Sequence, residues 1–251
     1  MEAVFILKKT SIIHYNYKET QIPIKISWEW RRNIRVSIGR KEIHLRIPAL
    51  SSEKFVKQQI QWAKEWLTNQ LERKPELLQR FVLKNYAHGD LLKINDEFFT
   101  LYIMYENRKT LGAQIKDQYI NVKVPFDMDS DRMNATIKQL LSRTLSSYFM
   151  DEVKNRITSF NQMYFGEILG DIRIKYNKSN WGSCSAKKNI NISSRILFAP
   201  KPVQDYVFIH ELTHLIELNH SPKFWKIVAS IVPDYKLKEK WLKENGHLCD
   251  F

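Results

Sequence analysis

Two histidines and a glutamate in the last quarter of the chain have the types and spacing of a hydrolytic metal site. His210 and His214 are four residues apart, which places both imidazoles on one face of a helix, one turn from each other. Such a pair can bind one metal ion, and Glu211 beside the first histidine can take a proton from metal-bound water. The pattern predicts a zinc-dependent hydrolase with one Zn²⁺ per chain, His210 and His214 as metal ligands and Glu211 as the catalytic base.

The residues around this pattern predict a buried helix rather than a solvated one. Pro200 and Pro202 precede a helical run from 203 to 218, and a proline in the first turn of a helix sacrifices no hydrogen bond. The run is apolar around most of its circumference, which is typical of a buried helix. Buried polar groups without partners cost about 1–3 kcal/mol each, so these histidines and the glutamate need partners, and a metal ion supplies one.

The third metal ligand has to come from a turn in the chain. A catalytic zinc has three protein ligands and one open position, and three ligands along one straight helix lie nearly in a line. Asn219 is predicted to end the helix in the left-handed conformation, and Ser221-Pro222 to begin a second helix that runs to residue 231. His220 then lies in the corner between the helices as the third ligand. Glu217 is the alternative ligand, or an acceptor for an imidazole N–H.

The stretch from Asn180 to Leu242 resembles the YgjP-like metallopeptidases, which are related to the SprT-like zincins. Ordered blocks carry the resemblance: Trp181-Gly182-Ser183-Cys184-Ser185, Ala199-Pro200, Asp205-Tyr206-Val207, His210-Glu211-Leu212-Thr213-His214-Leu215, Asn219-His220-Ser221, Phe224-Trp225 and Pro233-Asp234-Tyr235. A weaker resemblance extends toward residue 20. It implies one zinc ion held by His210, His214 and His220, Glu211 as the base, a zincin-like fold and peptidase activity on a peptide or protein substrate.

Three features depart from the family's usual pattern. Asn180 stands where the family often has arginine, and Ser193 stands where it often has asparagine. The turn Lys187-Lys188-Asn189 lacks the usual glycine. All three lie in the strand region rather than at the predicted ligands, so they bear on substrate preference more than on hydrolysis.

Two segments are candidates for contacting the substrate. The predicted strand that contains Trp181, Gly182 and Ser183 could bind an extended peptide by strand addition, or it could be a core hairpin whose tryptophan packs under the metal helix. Tyr235 is a candidate donor to the developing oxyanion, with packing between helices as its alternative role.

Hydrophobic periodicity predicts the elements that position these residues. Helical spacing predicts a helix over 52–73 and another from Ser130 or Asp131 to about Phe160. Alternating and apolar runs predict strands within 22–48 and 91–124, and then at 171–176, 181–185 and 190–198. The expected fold is α+β, with a β-rich N-terminal lobe carrying one long helix over 1–127 and a zincin-like catalytic lobe over 128–251, together one YgjP-like domain. No internal repeat is visible in the sequence.

Composition narrows the class of protein. A chain of 251 residues with 43% hydrophobic content can bury a substantial core. No apolar stretch is long enough for a membrane span, and the run Ala3-Val4-Phe5-Ile6-Leu7 is too short for the core of a signal peptide. The two cysteines, Cys184 and Cys249, do not make a disulfide framework. We expect a cytoplasmic protein with no membrane partner.

The net charge of +13 suggests an acidic partner. Basic and aromatic residues cluster near the N-terminus: Trp28, Trp30, Arg31, Arg32, Arg35, Arg40 and Lys41. Such a mixture is typical of a nucleic-acid contact, and solvated strand edges are the plainer interpretation. The alternative function is therefore a nucleic-acid-associated basic protein, such as a DNA-linked protease, whose metal site is mainly structural because Cys184 or Glu217 completes the ligand sphere.

Overall fold

The computed structural model describes residues 10–39, 41–82, 85–128 and 130–251, with only the main chain at 130–132. Arg40 of the basic cluster, the side chain of Asp131 and the run Ala3–Leu7 lie outside this description. The chain divides into two compact units, residues 1–83 and 84–251. None of the helices in the described ranges is long and apolar enough to cross a membrane.

The first unit is a four-stranded sheet with one long helix. Its strands run in the order β1-β2-β4-β3, and only β2 and β4 are parallel: β1 (Thr10–Tyr17), β2 (Thr20–Glu29), β3 (Arg35–Ile38) and β4 (Ile43–Pro48). Helix α1 (Glu53–Arg73) follows, and the Ser52 hydroxyl accepts a hydrogen bond from the Phe55 N–H at 3.4 Å, which caps the helix. The predicted strands within 22–48 and the predicted helix are confirmed, whereas β1 was not predicted.

The second unit holds a second four-stranded sheet, a three-stranded sheet and five helices among its described residues. The first of these sheets has the order β5-β6-β8-β7 and the second has the order β10-β11-β9. The elements are β5 (Leu91–Ile94), β6 (Glu97–Glu106), β7 (Gly112–Lys116), β8 (Tyr119–Pro125), α2 (Ser130–Tyr148), α3 (Met150–Tyr164), β9 (Ile172–Lys175), β10 (Gly182–Cys184), β11 (Ile190–Ser193), α4 (Lys201–Thr213), α5 (Pro222–Ile231) and α6 (Tyr235–Asn245).

The boundary between the compact units lies at residue 83 and not near residue 127. The strands β5 to β8 belong with the second unit because their inward residues share one hydrophobic core with the later helices. That core contains Leu101 and Val122 of the sheet, Leu141 of α2 and Leu212 of α4, none of which is exposed. The predicted β-rich lobe over 1–127 is therefore split between two separate cores.

Three predicted elements have different bounds in the structure. The predicted helix from 130 to about 160 is two helices that meet at Phe149, whose backbone departs from the helical conformation (φ −92°, ψ 4°) while its ring packs 5.9 Å from that of Phe99. The predicted strand 190–198 ends at Ser193 and continues as a 3₁₀ turn over Ser194–Phe198. The predicted helix over 203–218 ends at Thr213.

The two four-stranded sheets are structural copies of each other. Apart from Lys116 and Tyr119, each paired residue of the second sheet follows a paired counterpart in the first by 77 positions. For example, Ile24 pairs with Ile43 as Leu101 pairs with Ile120, and Ile38 pairs with Ile43 as Ile115 pairs with Ile120. The helix that follows each sheet obeys the same offset, since α1 begins at 53 and α2 at 130. Only six of the 39 aligned residues between 10–48 and 87–125 are identical.

The copies also share an arrangement of ions at the end of their second strand. Glu29 lies 3.3 Å from Arg31 and 3.5 Å from Arg46. The counterparts 77 residues later are Glu106, Arg108 and Lys123, with distances of 3.7 and 2.8 Å from the glutamate. This triplet recurs in both copies, as does a positive charge at Arg32 and Lys109.

Candidate metal centre

Helix α4 presents the first two histidines of the predicted site. His210 lies in its last turn, and His214 follows at the C-cap with φ −67° and ψ −12°, close enough to helical to keep both imidazoles on one face. Thr213 between them is buried, and its hydroxyl donates to the Ile209 carbonyl at 2.7 Å. The Thr213 hydroxyl therefore helps to fix the end of the helix. The centroids of the His210 and His214 rings lie 5.2 Å apart.

The chain reverses immediately after His214. The N–H groups of Ile216 and Glu217 both donate to the Thr213 carbonyl, at 3.1 and 3.0 Å, which closes a tight turn. Among the described residues Asn219 is not one of those with positive φ, so the prediction that it ends the helix in the left-handed conformation is wrong. The turn at Thr213 makes the reversal without it.

The second helix begins where its sequence predicts. The Ser221 hydroxyl accepts a hydrogen bond from the Phe224 N–H at 3.3 Å, and Pro222 occupies the first turn of α5. His220 precedes this cap directly. The cap therefore sets the direction in which the His220 side chain leaves the corner between the two helices.

The reversal brings three imidazoles together. His220 Nε2 lies 3.0 Å from His210 Nε2, and one ring nitrogen from each of His210, His214 and His220 lies within 4.8 Å of the others. His214 Nδ1 lies 3.1 Å from the Glu217 carbonyl, an arrangement in which Nδ1–H donates and Nε2 keeps its lone pair. Glu217 thus contacts the cluster through its main chain, while its carboxylate lies 3.6 Å from Lys223 Nζ.

Burial keeps two of the three histidines neutral. Removal from solvent, helped by the charges of the other two histidines, lowers the pKa of His210 to about 3. Burial also lowers the pKa of His214. Neutral imidazoles offer the lone pair that a metal ion requires, so this pair of ligands is ready near neutral pH without the loss of a proton.

Glu211 lies beside the cluster in a nearly closed environment. Its side chain is 6% exposed, and burial raises the pKa of its carboxyl group to about 8. The main chain of β10 runs directly against it, because a Cβ added to Gly182 would lie 2.6 Å from Glu211 Cγ and 2.7 Å from Oε1. Only glycine at position 182 leaves room for this carboxylate.

Aromatic rings line the cluster, and the search of the sequence for ionisable residues missed their role. The Phe224 ring, fully buried, lies 4.9, 4.7 and 4.7 Å from the rings of His210, His214 and His220. The Trp225 ring lies 5.8 Å from both His210 and His220. Their positions, three and four residues after the Ser221 cap, are the signal that could have identified them.

Comparison with known proteins assigns the family. A family model for the YgjP-like metallopeptidase domain matches residues 32–245. The chain belongs to the YgjP-like metallopeptidase family. This confirms the resemblance seen in the sequence, and the residues matched include part of the first unit as well as the whole histidine cluster.

More distant comparisons add little to the family assignment. The metallopeptidase zymogen of abylysin from Pyrococcus abyssi is 22% identical over 37% of this chain and 93% of its own, with a TM-score of 0.34. The metallopeptidase zymogen of jannalysin from Methanocaldococcus jannaschii is 22% identical over 34% of this chain and 91% of its own, with a TM-score of 0.31. No curated protein matches the chain.

The other candidate residues of this YgjP-like protein occupy two different environments. Gly182 and Ser183 lie in β10, which is an edge strand. Trp181 packs against the guanidinium of Arg195 at 4.3 Å, and Arg195 is itself buried and donates to the Gly246 carbonyl at 2.8 Å. The Tyr235 ring stacks on Trp225 at 5.2 Å, one ring farther from the histidines.

The donor set fits a divalent metal ion. Two nitrogen ligands of a tetrahedral zinc lie about 3.3 Å apart for Zn–N bonds of about 2.0–2.1 Å, close to the 3.0 Å between the Nε2 atoms of His210 and His220. His210 and His214 are partly buried and His220 is exposed, so one side of the cluster is open. Three nitrogen donors with an open side are typical of a catalytic site.

Proposed function

We propose that this YgjP-like protein is a zinc-dependent peptidase with a zincin-like core, in which Glu211 assists the attack of water on a peptide bond. The observation that carries the proposal is the convergence of three histidine nitrogens within 4.8 Å beside a buried glutamate. His210, His214 and His220 would hold the ion. Bound zinc supplies a Lewis acid for the scissile carbonyl and lowers the pKa of a coordinated water toward about 7.

Glu211 moves the proton in this proposal. Its carboxylate takes a proton from the attacking water and passes it to the nitrogen of the leaving amine, which restores the carboxylate. Burial raises the pKa of the carboxyl group to about 8, and a dication beside it favours the ionised form. The main chain of β10 at Gly182 restricts the Glu211 side chain, which reduces the entropy cost of proton transfer.

The substrate is proposed to lie along β10. Among the described residues this strand pairs only with β11, on one side, so its other edge can accept the main chain of an extended peptide. Gly182 and Ser183 would make those main-chain contacts, with Trp181 anchoring the start of the strand through Arg195. Tyr235 is the proposed donor to the developing oxyanion.

Metal analysis with matched variants tests the ligand set. We expect about one zinc per chain in the native protein, loss of the metal in His214→Ala and His220→Ala, and retention in Glu217→Ala, whose carboxylate lies with Lys223. Loss of zinc in Glu217→Ala, together with retention of zinc in His220→Ala, would identify Glu217 rather than His220 as the third ligand. No zinc in native protein prepared without chelators would reject the proposal.

A cleavage assay tests the base separately. Glu211→Gln should keep its zinc and lose about 10²–10⁴-fold in the rate of casein or peptide cleavage, because the amide cannot accept the proton. Tyr235→Phe should lower kcat more than it raises KM if the hydroxyl stabilises the oxyanion. Unchanged cleavage in Glu211→Gln would contradict the mechanism even with zinc present.

The structural alternative for the metal site makes a different prediction. A structural zinc site has four protein ligands. Within the described ranges the group of metal-binding side chains has three members and includes neither Cys184 nor Glu217. The three-ligand arrangement therefore favours a catalytic role over a structural one.

A further inference from the structure

The outer face of the first sheet is basic. The inward residues of β2 and β4 form the core of the unit, so alternate residues of the same strands face the other side. Lys25, Arg35 and Arg46 lie on that outer face, and Arg32 and Lys41 lie exposed in the connections at the two ends of β3. We call these five residues, together with Trp30, the basic face.

The positive charge of Arg35 does not stabilise the sheet. Arg35 and Arg46 are directly opposite each other across β3 and β4, and like charges at such positions destabilise a sheet. Their counterparts in the second sheet are Gly112 and Lys123, a pair without repulsion. Glu29 lies 3.5 Å from Arg46 and offsets part of this repulsion. The positive charge of Arg35 is the one that the second sheet does without.

The second sheet serves as an internal reference for the remaining charges. The ion triplet around Glu29 recurs there around Glu106, so it belongs to the fold. Lys25 and Lys41, in contrast, correspond to Tyr102 and Gln118, so the same register forms without a positive charge at either position. Arg32 corresponds to Lys109, so its charge recurs in the second sheet. Lys25 Nζ lies 3.9 Å from Glu42 Oε1.

The charge of the whole chain is concentrated in the same unit. Residues 1–83 contain 16 Lys and Arg against 8 Asp and Glu, a net charge of +8, whereas residues 84–251 contain 24 against 19, a net charge of +5. One third of the chain thus carries more than half of the net charge of +13. A surface of this sign attracts polyanions and speeds their association.

One tryptophan of the N-terminal cluster is free to stack. The Trp30 side chain is 73% exposed at the end of β2, and its counterpart in the second sheet is Asn107. Trp28 instead packs on the core of the unit, so it serves the fold. An exposed indole beside arginine is the combination with which proteins hold unpaired bases.

We propose that the basic face binds single-stranded nucleic acid, with Lys25, Arg32, Arg35 and Lys41 on the phosphates and Trp30 stacked on a base. This is an activity beyond peptide hydrolysis and requires no residue of the histidine cluster. An anionic membrane would satisfy the charges but would leave the stacking ring without a specific role. The unpaired base accounts for both features.

Fluorescence anisotropy with a labelled oligothymidylate, titrated with the full-length protein at several KCl concentrations, tests the proposal. Log Kd should vary linearly with log salt, and Lys25→Gln/Arg32→Gln/Arg35→Gln should reduce the slope by about 2, since each contact to a single strand contributes about 0.7. Trp30→Ala should weaken binding about tenfold with little change in slope.

Matched variants separate this surface from a general effect of charge. Lys93→Gln/Lys109→Gln/Lys116→Gln removes the same charge from the second unit, and Trp62→Ala removes another exposed tryptophan of the first unit. Both should bind like the native protein. Arg35→Gln removes the repulsion with Arg46, so its thermal unfolding should show an intact fold when binding is lost.

Three results would overturn the proposal. Equal loss of binding in the two triple variants would mean attraction to net charge alone. Equal effects of Trp30→Ala and Trp62→Ala would remove the stacking contact. Binding to phosphatidylglycerol vesicles without binding to the oligonucleotide would assign the face to a membrane surface.

Discussion

Gly182 determines where the carboxylate of Glu211 can lie. Because a Cβ at this position would come within 2.6–2.8 Å of three Glu211 atoms, Gly182→Ala must displace the carboxylate. We expect kcat for peptide cleavage to fall about 100-fold or more, with the zinc content unchanged, since the histidines are not displaced. Steady-state kinetics with metal analysis on the same sample measures this.

Gly170→Ala is the matched control for that substitution. Its added Cβ would also be too close to its neighbours, which are the Asn189 side chain and the Lys187 carbonyl oxygen at 2.8 Å, but it does not meet Glu211. We expect a lower thermal stability with an unchanged kcat per folded molecule. Equal losses of kcat in the two variants would show that Gly182 acts through stability and not through Glu211.

Cys184 reports on the charge of Glu211. Burial, and then the negative charge of Glu211, raise the pKa of the Cys184 thiol from 9.0 to about 11, which leaves about 100-fold less thiolate than in a free thiol at neutral pH. Alkylation by iodoacetamide in metal-free protein should therefore be slow and should accelerate up to about pH 11. Glu211→Gln should speed it above about pH 8, where the Glu211 carboxyl group is ionised in the metal-free protein.

Cys249 gives the internal comparison for alkylation. It is fully buried, and burial raises the pKa of its thiol to about 12, so it should react only after unfolding. Mass spectrometry of peptides distinguishes the two sites. An alkylation rate at Cys184 equal to that of a small thiol would contradict the raised pKa.

Residue types and spacing predicted the histidine cluster because the chemistry of a metal ligand is nearly independent of context. The same approach could not place Phe224 under the three imidazoles or Arg195 against Trp181. Phenylalanine is ordinary in any apolar helix, and a buried arginine is recognised only through its partners. Both contacts depend on tertiary packing that no local pattern encodes.

At the scale of elements, the cap of α5 sets the position of His220, the proposed third ligand. Ser221→Ala removes the hydrogen bond from the Phe224 N–H and should lower the free energy of unfolding by about 1 kcal/mol. Because His220 precedes the cap, we also expect a weaker affinity for zinc, measured by competition with a chelator. The loss of zinc affinity should exceed that caused by a substitution elsewhere that lowers the free energy of unfolding by the same amount.

Ser52→Ala provides the comparison of equal cost. Ser52 caps α1 in the first unit through the Phe55 N–H at 3.4 Å, in the same geometry. Its removal should cost a similar free energy of unfolding with no change in zinc affinity. Equal zinc affinities in Ser221→Ala and the native protein would mean that the tight turn after Thr213 suffices to place His220.

Element starts were predictable where a side chain makes the cap, as at Ser52 and Ser221. The ends of elements were harder to predict, because different hydrogen-bond patterns can end a helix at different points of the same apolar run. Helix α4 ends at Thr213, although the apolar residues continue to Leu218. The N–H groups of Ile216 and Glu217 both donate to the Thr213 carbonyl there. The break at Phe149 has no glycine or proline and follows from the packing of its ring.

At the scale of the molecule, Asp250 holds the end of the second unit to its core. It accepts hydrogen bonds from Lys138 at 2.7 Å and from the Tyr176 hydroxyl at 2.5 Å, and it lies 3.9 Å from the buried Arg195. Asp250→Ala would leave the Arg195 charge with less compensation, and we expect the free energy of unfolding to fall by about 3 kcal/mol. Denaturant unfolding measures this.

Asp171→Ala is the control for an ion pair in solvent. Asp171 lies 2.6 Å from Arg173, and both side chains are about two-thirds exposed, so the pair contributes little. We expect the same unfolding midpoint as the native protein. A cost for Asp250→Ala no larger than for Asp171→Ala would show that the buried cluster does not stabilise the unit.

The organisation of the whole chain was the hardest feature to predict. The boundary at residue 83 depends on which core the strands β5 to β8 join, and the inward residues of both sheets are the same mixture of Ile, Leu and Val. The repeat was hidden for the same reason, because burial tolerates exchange among apolar residues and so erases identity. Pro48 and Pro125, which end β4 and β8, were the sequence feature that could have revealed the repeat.

Two sheets with identical register within one chain create competing partners during folding. The edge of β2 that pairs with β4 could also pair with β8, because β4 and β8 both offer alternating aliphatic residues in the same phase. Chain length resolves the competition: Ile24 reaches Ile43 by closing a loop of about 20 residues, whereas it reaches Ile120 only by closing one of about 100. Synthesis from the N-terminus adds to the bias, since β4 is available long before β8 emerges.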